Sequence, residues 1–162
     1  MDVGALFAAH HRSLVRYLYR LSGDADLADD AAQEAFFRLQ QRPPAHGREL
    51  RAWLFTVGTR ALLDQTRTDR RRRTIAHAHA PELVGSTRGP EQHLEAAESR
   101  RLVREALDAL NEGERTALLM REEGFTHREI AESIGTTTKS VGTILARALT
   151  KLAKRLPLDE EA

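Results

Sequence analysis

The side chains that could do chemistry in this sequence are mostly arginines and small hydroxyl residues. Residues 42–73 hold nine basic and three acidic side chains and end in the run Arg70–Arg73. Guanidinium groups bind phosphates through several hydrogen bonds at once, so this segment predicts contact with a nucleic-acid backbone. No set of Ser, His or carboxylate residues shows catalytic spacing, and we therefore expect no enzyme.

A second polar cluster lies in residues 126–147, THREIAESIGTTTKSVGTILAR. Apolar residues repeat at helical spacing up to Gly135, which interrupts the pattern, and they resume after it. The T-x-x-E pattern of Thr126 and Glu129 predicts a capping box, and Thr137 can cap a second helix. The segment predicts a helix-turn-helix whose second helix would lie in the major groove. An ordinary helical hairpin is the alternative.

Helices must position both clusters, because the apolar pattern is helical almost throughout and shows no strand signal. Residues 74–90 lack periodicity and contain two prolines and two glycines, which predicts a linker. The expected fold is all-α, with two small helical domains joined by a flexible linker and a helix-turn-helix in the C-terminal domain. The predicted divisions are residues 1–73, 74–90 and 91–157.

Composition excludes several classes of protein. The chain has 162 residues, no Cys and a net charge of +1, so disulfides and thiolate metal sites are ruled out. No apolar run approaches the ~20 residues of a membrane span, and the N-terminus lacks the features of a signal peptide. We expect a cytoplasmic protein with no membrane contact of its own. His77 and His79, with His10 and His11, are weak evidence for a metal, so no metal or cofactor is expected.

The second predicted helix carries an acidic and amide cluster. Its members are Asp26, Asp29, Asp30, Gln33 and Glu34. Acidic residues near a helix start interact favourably with the helix dipole. That accounts for the aspartates but less well for Gln33 and Glu34, which lie deeper in the helix. From these residues alone, a solvated face is the simpler interpretation.

The third predicted helix, near residues 49–70, has two features with a plain alternative. Trp53, the only Trp, lies on an apolar stripe where core packing is its usual role, but it could also stack on an unpaired base. The run Arg70–Arg73 could be a disordered basic segment. Because the run continues a basic helix, phosphate contact is favoured.

Three segments in this order resemble one family, the extracytoplasmic-function sigma factors of the sigma-70 family. They are DADLADDAAQEAFFRL, ELRAWLFTVGTRALLDQTRTDRRRR, and ALDALNEGERTALLMREEGFTHREIAESIG followed by an apolar helix containing ARAL. The resemblance covers nearly the whole chain apart from the linker and the acidic tail. It implies a non-enzymatic subunit of bacterial RNA polymerase.

The resemblance also implies roles for particular residues. In this family, region 2 binds the polymerase clamp through its second helix, here Asp26, Asp29, Asp30, Gln33, Glu34 and Arg38. The third helix and the loop before it open the −10 element and capture an unpaired base, which by position and charge falls to Arg42, His46, Arg48, Arg51, Trp53, Arg60, Arg67, Arg70 and Arg71. Region 4 reads the −35 element, here through Thr137, Thr138, Lys139, Ser140, Thr143 and Arg147.

The implied partners are core RNA polymerase, at its clamp and flap regions, and promoter DNA. Many such factors are also held inactive by an anti-sigma protein. The chain departs from the family at Arg60, where Asn is common, and at Gly142 to Ile144, where a Lys-Ser-Arg run is frequent. Two basic contacts are thus missing from the recognition helix. The −10 and −35 sequences therefore cannot be carried over from the family.

Two other functions are compatible with these residues. A stand-alone helix-turn-helix regulator would use its N-terminal half to bind a signal or a partner. A polymerase-binding adaptor or antagonist would dock on the enzyme without starting transcription, and the weakly basic recognition helix favours it. A sigma factor that directs polymerase to a small promoter set is the leading hypothesis.

Overall fold

Seven α-helices and no strand make up the part of the chain that the computed structural model describes. That part is residues 1–45, 49–72 and 90–156, without the side chains of 70–72 and 90–93. The helices are α1 Val3–Ser22, α2 Ala25–Gln41, α3 Leu50–Arg72, α4 Pro90–Asp108, α5 Glu112–Glu122, α6 His127–Ile134 and α7 Thr138–Arg155. The all-α prediction is confirmed. None of the described helices has the length and apolar character needed to cross a membrane.

Helices α1, α2 and α3 pack against one another as an N-terminal unit. Helix α2 can approach both neighbours closely because its buried positions are small: Ala28, Ala31, Ala32 and Ala35. Gly58 does the same for α3, since a Cβ there would lie 3.2 Å from Leu14 Cδ1. The buried hydroxyls of Tyr17 and Thr59 share a 2.8 Å hydrogen bond, and burial raises the pKa of Tyr17 well above its usual range.

The junction between α1 and α2 is fixed by local signals that the sequence predicts. Gly23 ends α1 in the left-handed conformation, with φ 72°, where glycine has no steric penalty. Asp24 then caps α2, and its carboxylate accepts hydrogen bonds from the backbone N–H groups of Asp26 and Leu27 at 3.0 and 3.1 Å. Local signals thus set both the end of α1 and the start of α2.

Helices α4 to α7 form a C-terminal unit that contains the predicted helix-turn-helix. Thr126 and Glu129 make both hydrogen bonds of a capping box at the start of α6. Gly135, with φ 73°, turns the chain out of α6, and Thr137 caps α7. The turn brings α7 across α6, and the two helices bury Ile130 and Val141 between them and α5.

Helix α4 differs from its expected form at its N-terminal end. It begins at Pro90, inside the predicted linker, because proline suits the first turn of a helix. Its apolar spacing predicts burial of Leu94 and Val103, but these side chains are 74% and 47% exposed. Only the C-terminal part of α4, around Ala106 and Leu107, reaches the core. The other residues of the predicted linker, 74–89, lie outside the described part.

The two units pack together, which the sequence does not predict. Helix α5 contacts α1, and α6 contacts α3. The buried apolar side chains therefore form one continuous cluster rather than two thin cores. At the junction, the rings of Phe55 from α3 and Phe125 from the loop after α5 lie 5.0 Å apart and are almost fully buried.

Candidate nucleic-acid and partner-binding surfaces

The acidic face predicted on α2 is a solvent-facing stripe in the structure. Asp26, Asp29, Asp30, Gln33 and Arg38 are exposed and Glu34 is half-buried, on the side opposite the alanines that pack in the core. Two contacts run along the stripe: Gln33 Nε2 donates to Asp29 Oδ2 at 3.3 Å, and Arg38 Nε donates to Glu34 Oε1 at 2.7 Å. The structure thus brings all six predicted residues together on one face of one helix.

Phe37 belongs to the same stripe, although the sequence reasoning did not select it. It is 56% exposed, while its neighbour Phe36 is buried. Two successive residues on a helix point about 100° apart, so only one phenylalanine of the pair can face the core. An exposed aromatic ring among charged side chains is typical of a protein-binding surface.

The first described basic side chain of α3, Arg51, is half-buried. Arg51 lies beside the rings of Phe55 and Phe125, with its guanidinium carbon 4.9 and 4.4 Å from their centroids. Its Nη2 also donates to the backbone oxygen of Glu123 at 2.9 Å and to the Glu123 carboxylate at 3.2 Å. Arg51 was predicted to bind DNA, but in this structure it binds the C-terminal unit.

Arg60 and Arg67, further along α3, are engaged in the same way. Arg60 Nη2 donates to the backbone oxygen of Glu132 at 3.1 Å, and Arg67 Nη2 donates to Glu112 Oε1 at 3.1 Å. Both side chains remain largely exposed. Three residues predicted for the −10 contact therefore bind the C-terminal unit, although Arg60 and Arg67 lie roughly 160–180° around α3 from Arg51.

The other residues predicted for the −10 contact are placed in part. Trp53 is half-buried against the core, which leaves part of its ring accessible. Arg42 is exposed at the end of α2. His46, Arg48 and the side chains of Arg70 and Arg71 lie outside the described residues. At about 100° per residue, Trp53 lies roughly 200° around α3 from Arg51 but within about 40° of Arg60 and Arg67, so it shares a side of the helix with these two arginines.

The helix predicted to read the −35 element, α7, has an open polar face. Thr137, Thr138, Lys139, Thr143 and Arg147 are exposed, and Ser140 is half-buried. Thr137 Oγ1 accepts from the Ser140 backbone N–H at 3.2 Å, and the two hydroxyls lie 2.8 Å apart. These two residues thus build the N-cap, and the side chains beyond it remain accessible.

Two glutamates from different units meet at the edge of the interface between the units. A hydrogen bond to Glu129 raises the pKa of Glu49, with burial and the nearby negative charge adding to the effect. Burial would raise the pKa of Glu129, but it is outweighed by hydrogen bonds from Thr126 and Glu49 and by Arg51, so the Glu129 pKa is lowered. The hydrogen bond between the two carboxyl groups therefore favours a proton on Glu49 over a proton on Glu129.

An ion pair between a buried glutamate and an exposed lysine within the C-terminal unit supports α7. Lys151 Nζ lies 3.0 and 2.8 Å from the two carboxylate oxygens of Glu114. Burial would raise the pKa of Glu114, but hydrogen bonds from Lys151 and the Asn111 backbone outweigh it, so this pKa is lowered. Glu114 also completes the capping box of α5 with Asn111, as predicted.

The structure gives no support to the histidine metal site. No group of three His, Cys, Asp or Glu side chains in the described ranges could hold a metal ion. His11 instead stacks on Phe7, with ring centroids 4.2 Å apart. His77 and His79 lie outside those ranges.

Two family models match the chain. Sigma-70 region 2 matches residues 6–72, and Sigma-70, region 4 matches residues 100–152. The ECF RNA polymerase sigma factor SigL of Mycobacterium tuberculosis is 36% identical over 168 residues, which cover 96% of this chain and 88% of SigL. The ferric citrate uptake sigma factor FecI of Escherichia coli K12 is 30% identical, with 90% of this chain and 85% of FecI covered.

Solved structures show the same architecture. The complex of the sigma factor RpoE with the anti-sigma factor NepR from Bartonella quintana matches with a TM-score of 0.72 at 22% identity, over 96% of this chain and 97% of that one. Sigma factor SigJ of Mycobacterium tuberculosis matches with a TM-score of 0.64 at 26% identity, over 93% and 53%. With the two family models and the SigL match, the chain belongs to the sigma-70 family and is an RNA polymerase sigma factor of the extracytoplasmic-function type.

Proposed function

We propose that this sigma factor uses three separate faces, one for the polymerase clamp and two for promoter DNA. Residues 1–73 act as region 2, 74–90 as a linker along the polymerase, and 91–157 as region 4. The acidic stripe of α2 binds the clamp. The observation that carries the proposal is that one chain presents this exposed stripe and an exposed helix-turn-helix face on α7.

The clamp assignment is supported by the form of the stripe. Four of its six side chains, Asp29, Gln33, Glu34 and Arg38, are held by contacts within α2, which reduces the side-chain entropy lost on binding. Phe37 supplies an apolar centre, which charged side chains alone would not give.

The DNA assignment divides the work between α3 and α7. The arginines of α3, with Arg42 and the run after Arg70, bind the phosphates of the opened −10 strand, and the exposed part of Trp53 stacks on a base. Thr138, Lys139, Thr143 and Arg147 contact the −35 duplex in the major groove. Unstacking costs a few kcal/mol per base step, and a chain held by polymerase can couple that cost to its docking.

This division of work is one of binding, and we assign no catalytic residue and no cofactor. We further propose that the protein acts in the cytoplasm with core polymerase, and that an anti-sigma protein regulates it. The family resemblance supports that last partner.

Transcription in vitro with core polymerase on a promoter library tests the proposal. A sigma factor yields starts at defined sites that depend on this protein, and sequencing of RNA 5′ ends identifies them. Core binding without initiation would favour an adaptor or antagonist. Tight binding of a duplex operator without core polymerase would favour a stand-alone regulator.

A further inference from the structure

We propose that the outward face of α1 is a fourth binding surface, which holds the phosphate backbone of duplex promoter DNA in the initiation complex. Three arginines carry it: Arg12, Arg16 and Arg20. This set is called the α1 row below. It goes beyond the three faces of the proposed function, none of which includes a residue of α1.

The α1 row is an exposed line of charge on one side of the helix. Arg12, Arg16 and Arg20 are all exposed and follow one another at four-residue spacing. Four residues make slightly more than one turn, so the three side chains leave the same side of α1 about 6 Å apart along its axis. That side is opposite the one that buries Leu14 and Leu18. The row therefore spans about 12 Å of open surface.

The α1 row has no acidic partner. Helix α1 contains no Asp or Glu, and the three arginine side chains make no hydrogen bond or ion pair within the described part of the chain. Exposed arginines on two other helices are paired one turn away. Arg38 pairs with Glu34 on α2, and Arg101 pairs with Glu105 on α4. A face that served only solubility would gain from such pairs, because they stabilise a helix.

The same charge pattern occurs in α7. Of the seven described helices, only α1 and α7 contain basic residues and no acidic residue. Helix α7 carries the face that we propose for the −35 duplex. A carboxylate beside DNA repels the phosphates, so a helix that binds a nucleic-acid backbone does better without one. The shared pattern therefore favours a polyanion as the partner of the α1 row.

The residues around the α1 row favour duplex DNA over an acidic protein or a single strand. The other exposed residues on this side of α1 are Ala5, Ala8 and Ala9, which give no large apolar anchor for a protein interface. Tyr19, the aromatic residue nearest to the row, is half-buried against the core and offers little ring surface to an unpaired base. Duplex phosphates require neither feature, and guanidinium groups bind them through several hydrogen bonds at once.

Two of the three arginines are suited to a test by substitution. Arg20 lies in the last turn of α1, where a positive charge also favours the helix dipole, so it is left unchanged. Arg12→Ala with Arg16→Ala removes two exposed charges and keeps a good helix former at both positions. Arg12→Lys with Arg16→Lys keeps both charges. Arg101→Ala is the matched control, because this exposed arginine is paired within α4.

The affinity of each variant for core polymerase is measured first, and the assembled holoenzyme is then bound to one promoter at several salt concentrations. For the double alanine variant we expect the slope of log affinity against log salt to fall by about 1.8, since each lost phosphate contact removes about 0.9. Promoter affinity at about 0.1 M salt should fall at least about tenfold. The lysine variant and Arg101→Ala should keep the wild-type slope to within about 0.5, and all variants should bind core within about twofold of wild type.

Footprinting of the same complexes locates the contact. The backbone positions that lose protection from hydroxyl radicals in the double alanine variant should lie in duplex DNA, outside the segment whose thymines react with permanganate. An unaltered salt slope for this variant would overturn the proposal. Loss of core affinity would overturn it as well, by assigning the α1 row to an acidic surface of the polymerase. Footprint changes confined to the opened segment would also overturn it, by assigning the row to a single strand.

Discussion

At the scale of single residues, the junction between the units depends on protonation. Glu49 has a raised pKa because its carboxyl donates to Glu129, whose own pKa is lowered. The contribution of Glu49 is complete below its ordinary pKa and is lost as pH rises through the raised value. That of Glu129 is lost as pH falls through the lowered value. The contact between the units is therefore most stable between the lowered pKa of Glu129 and the raised pKa of Glu49.

We expect Glu49→Gln to remove the loss at higher pH, because the amide N–H donates to Glu129 at every pH while Arg51 keeps its place. The fraction of molecules in which the two units are in contact can be followed by energy transfer between two dyes. The dyes are attached to cysteines introduced at Gln40 and Ala153, which are exposed positions in different units. Energy transfer in the wild type should fall as pH rises, because the contact between the units weakens. Energy transfer in Glu49→Gln should stay constant. Parallel pH curves for the two proteins would contradict the assignment.

The arginine run after α3 makes a separate prediction. If Arg71 binds a phosphate, Arg71→Ala should reduce the slope of log affinity against log salt for promoter binding by about 0.7–0.9. The slope is measured with holoenzyme on one promoter at several salt concentrations. Arg100→Ala, an exposed change on α4, is the control and should leave the slope unaltered. An unaltered slope for Arg71→Ala would remove this residue from the DNA contact.

At the scale of elements, α7 carries an avoidable instability. Gly142 is exposed in the helix interior, and a Cβ there would meet no atom within 4 Å. Gly142→Ala should therefore raise the free energy of unfolding by about 0.5–1 kcal/mol, which corresponds to a Tm increase of about 1–4 °C. The matched change Gly135→Ala should destabilise, because φ is 73° there. Thermal unfolding of both variants checks the pair.

The helices and their ends could be predicted because their signals are local. The predicted caps at Thr126 and Thr137 are confirmed, and the caps at Asp24 and Asn111 likewise involve residues two or three positions apart. The stripe on α2 follows from helical spacing in the same way. The exposed ends of α1 and α4 could not be predicted, since periodicity shows which residues share a face but not whether a neighbour covers it.

The packing of the C-terminal unit on α3 could not be predicted either. Its contacts join residues far apart in the sequence, such as Arg51 with Glu123 and Arg60 with Glu132. A basic helix face has the same sequence pattern whether phosphate or a carbonyl group binds it. No periodicity or motif in the sequence distinguishes the two cases.

At the scale of the whole molecule, the N-terminal and C-terminal units pack against each other around one apolar cluster. Each unit alone would have a small core, and the shared cluster around Phe55 and Phe125 gives both more buried surface. Any separation of the units would expose both rings to solvent unless a bound partner covered them.

We propose that this chain binds core polymerase through the α2 stripe and directs it to promoters. The most direct measurement compares Asp30→Arg with Glu95→Arg, an exposed charge reversal on α4, in transcription with core polymerase on the promoter library. Circular dichroism confirms that both variants are folded. We expect Glu95→Arg to give the wild-type set of transcription starts. We expect Asp30→Arg to bind core polymerase weakly and to give few starts or none. Equal starts from both variants, at equal core affinity, would contradict it.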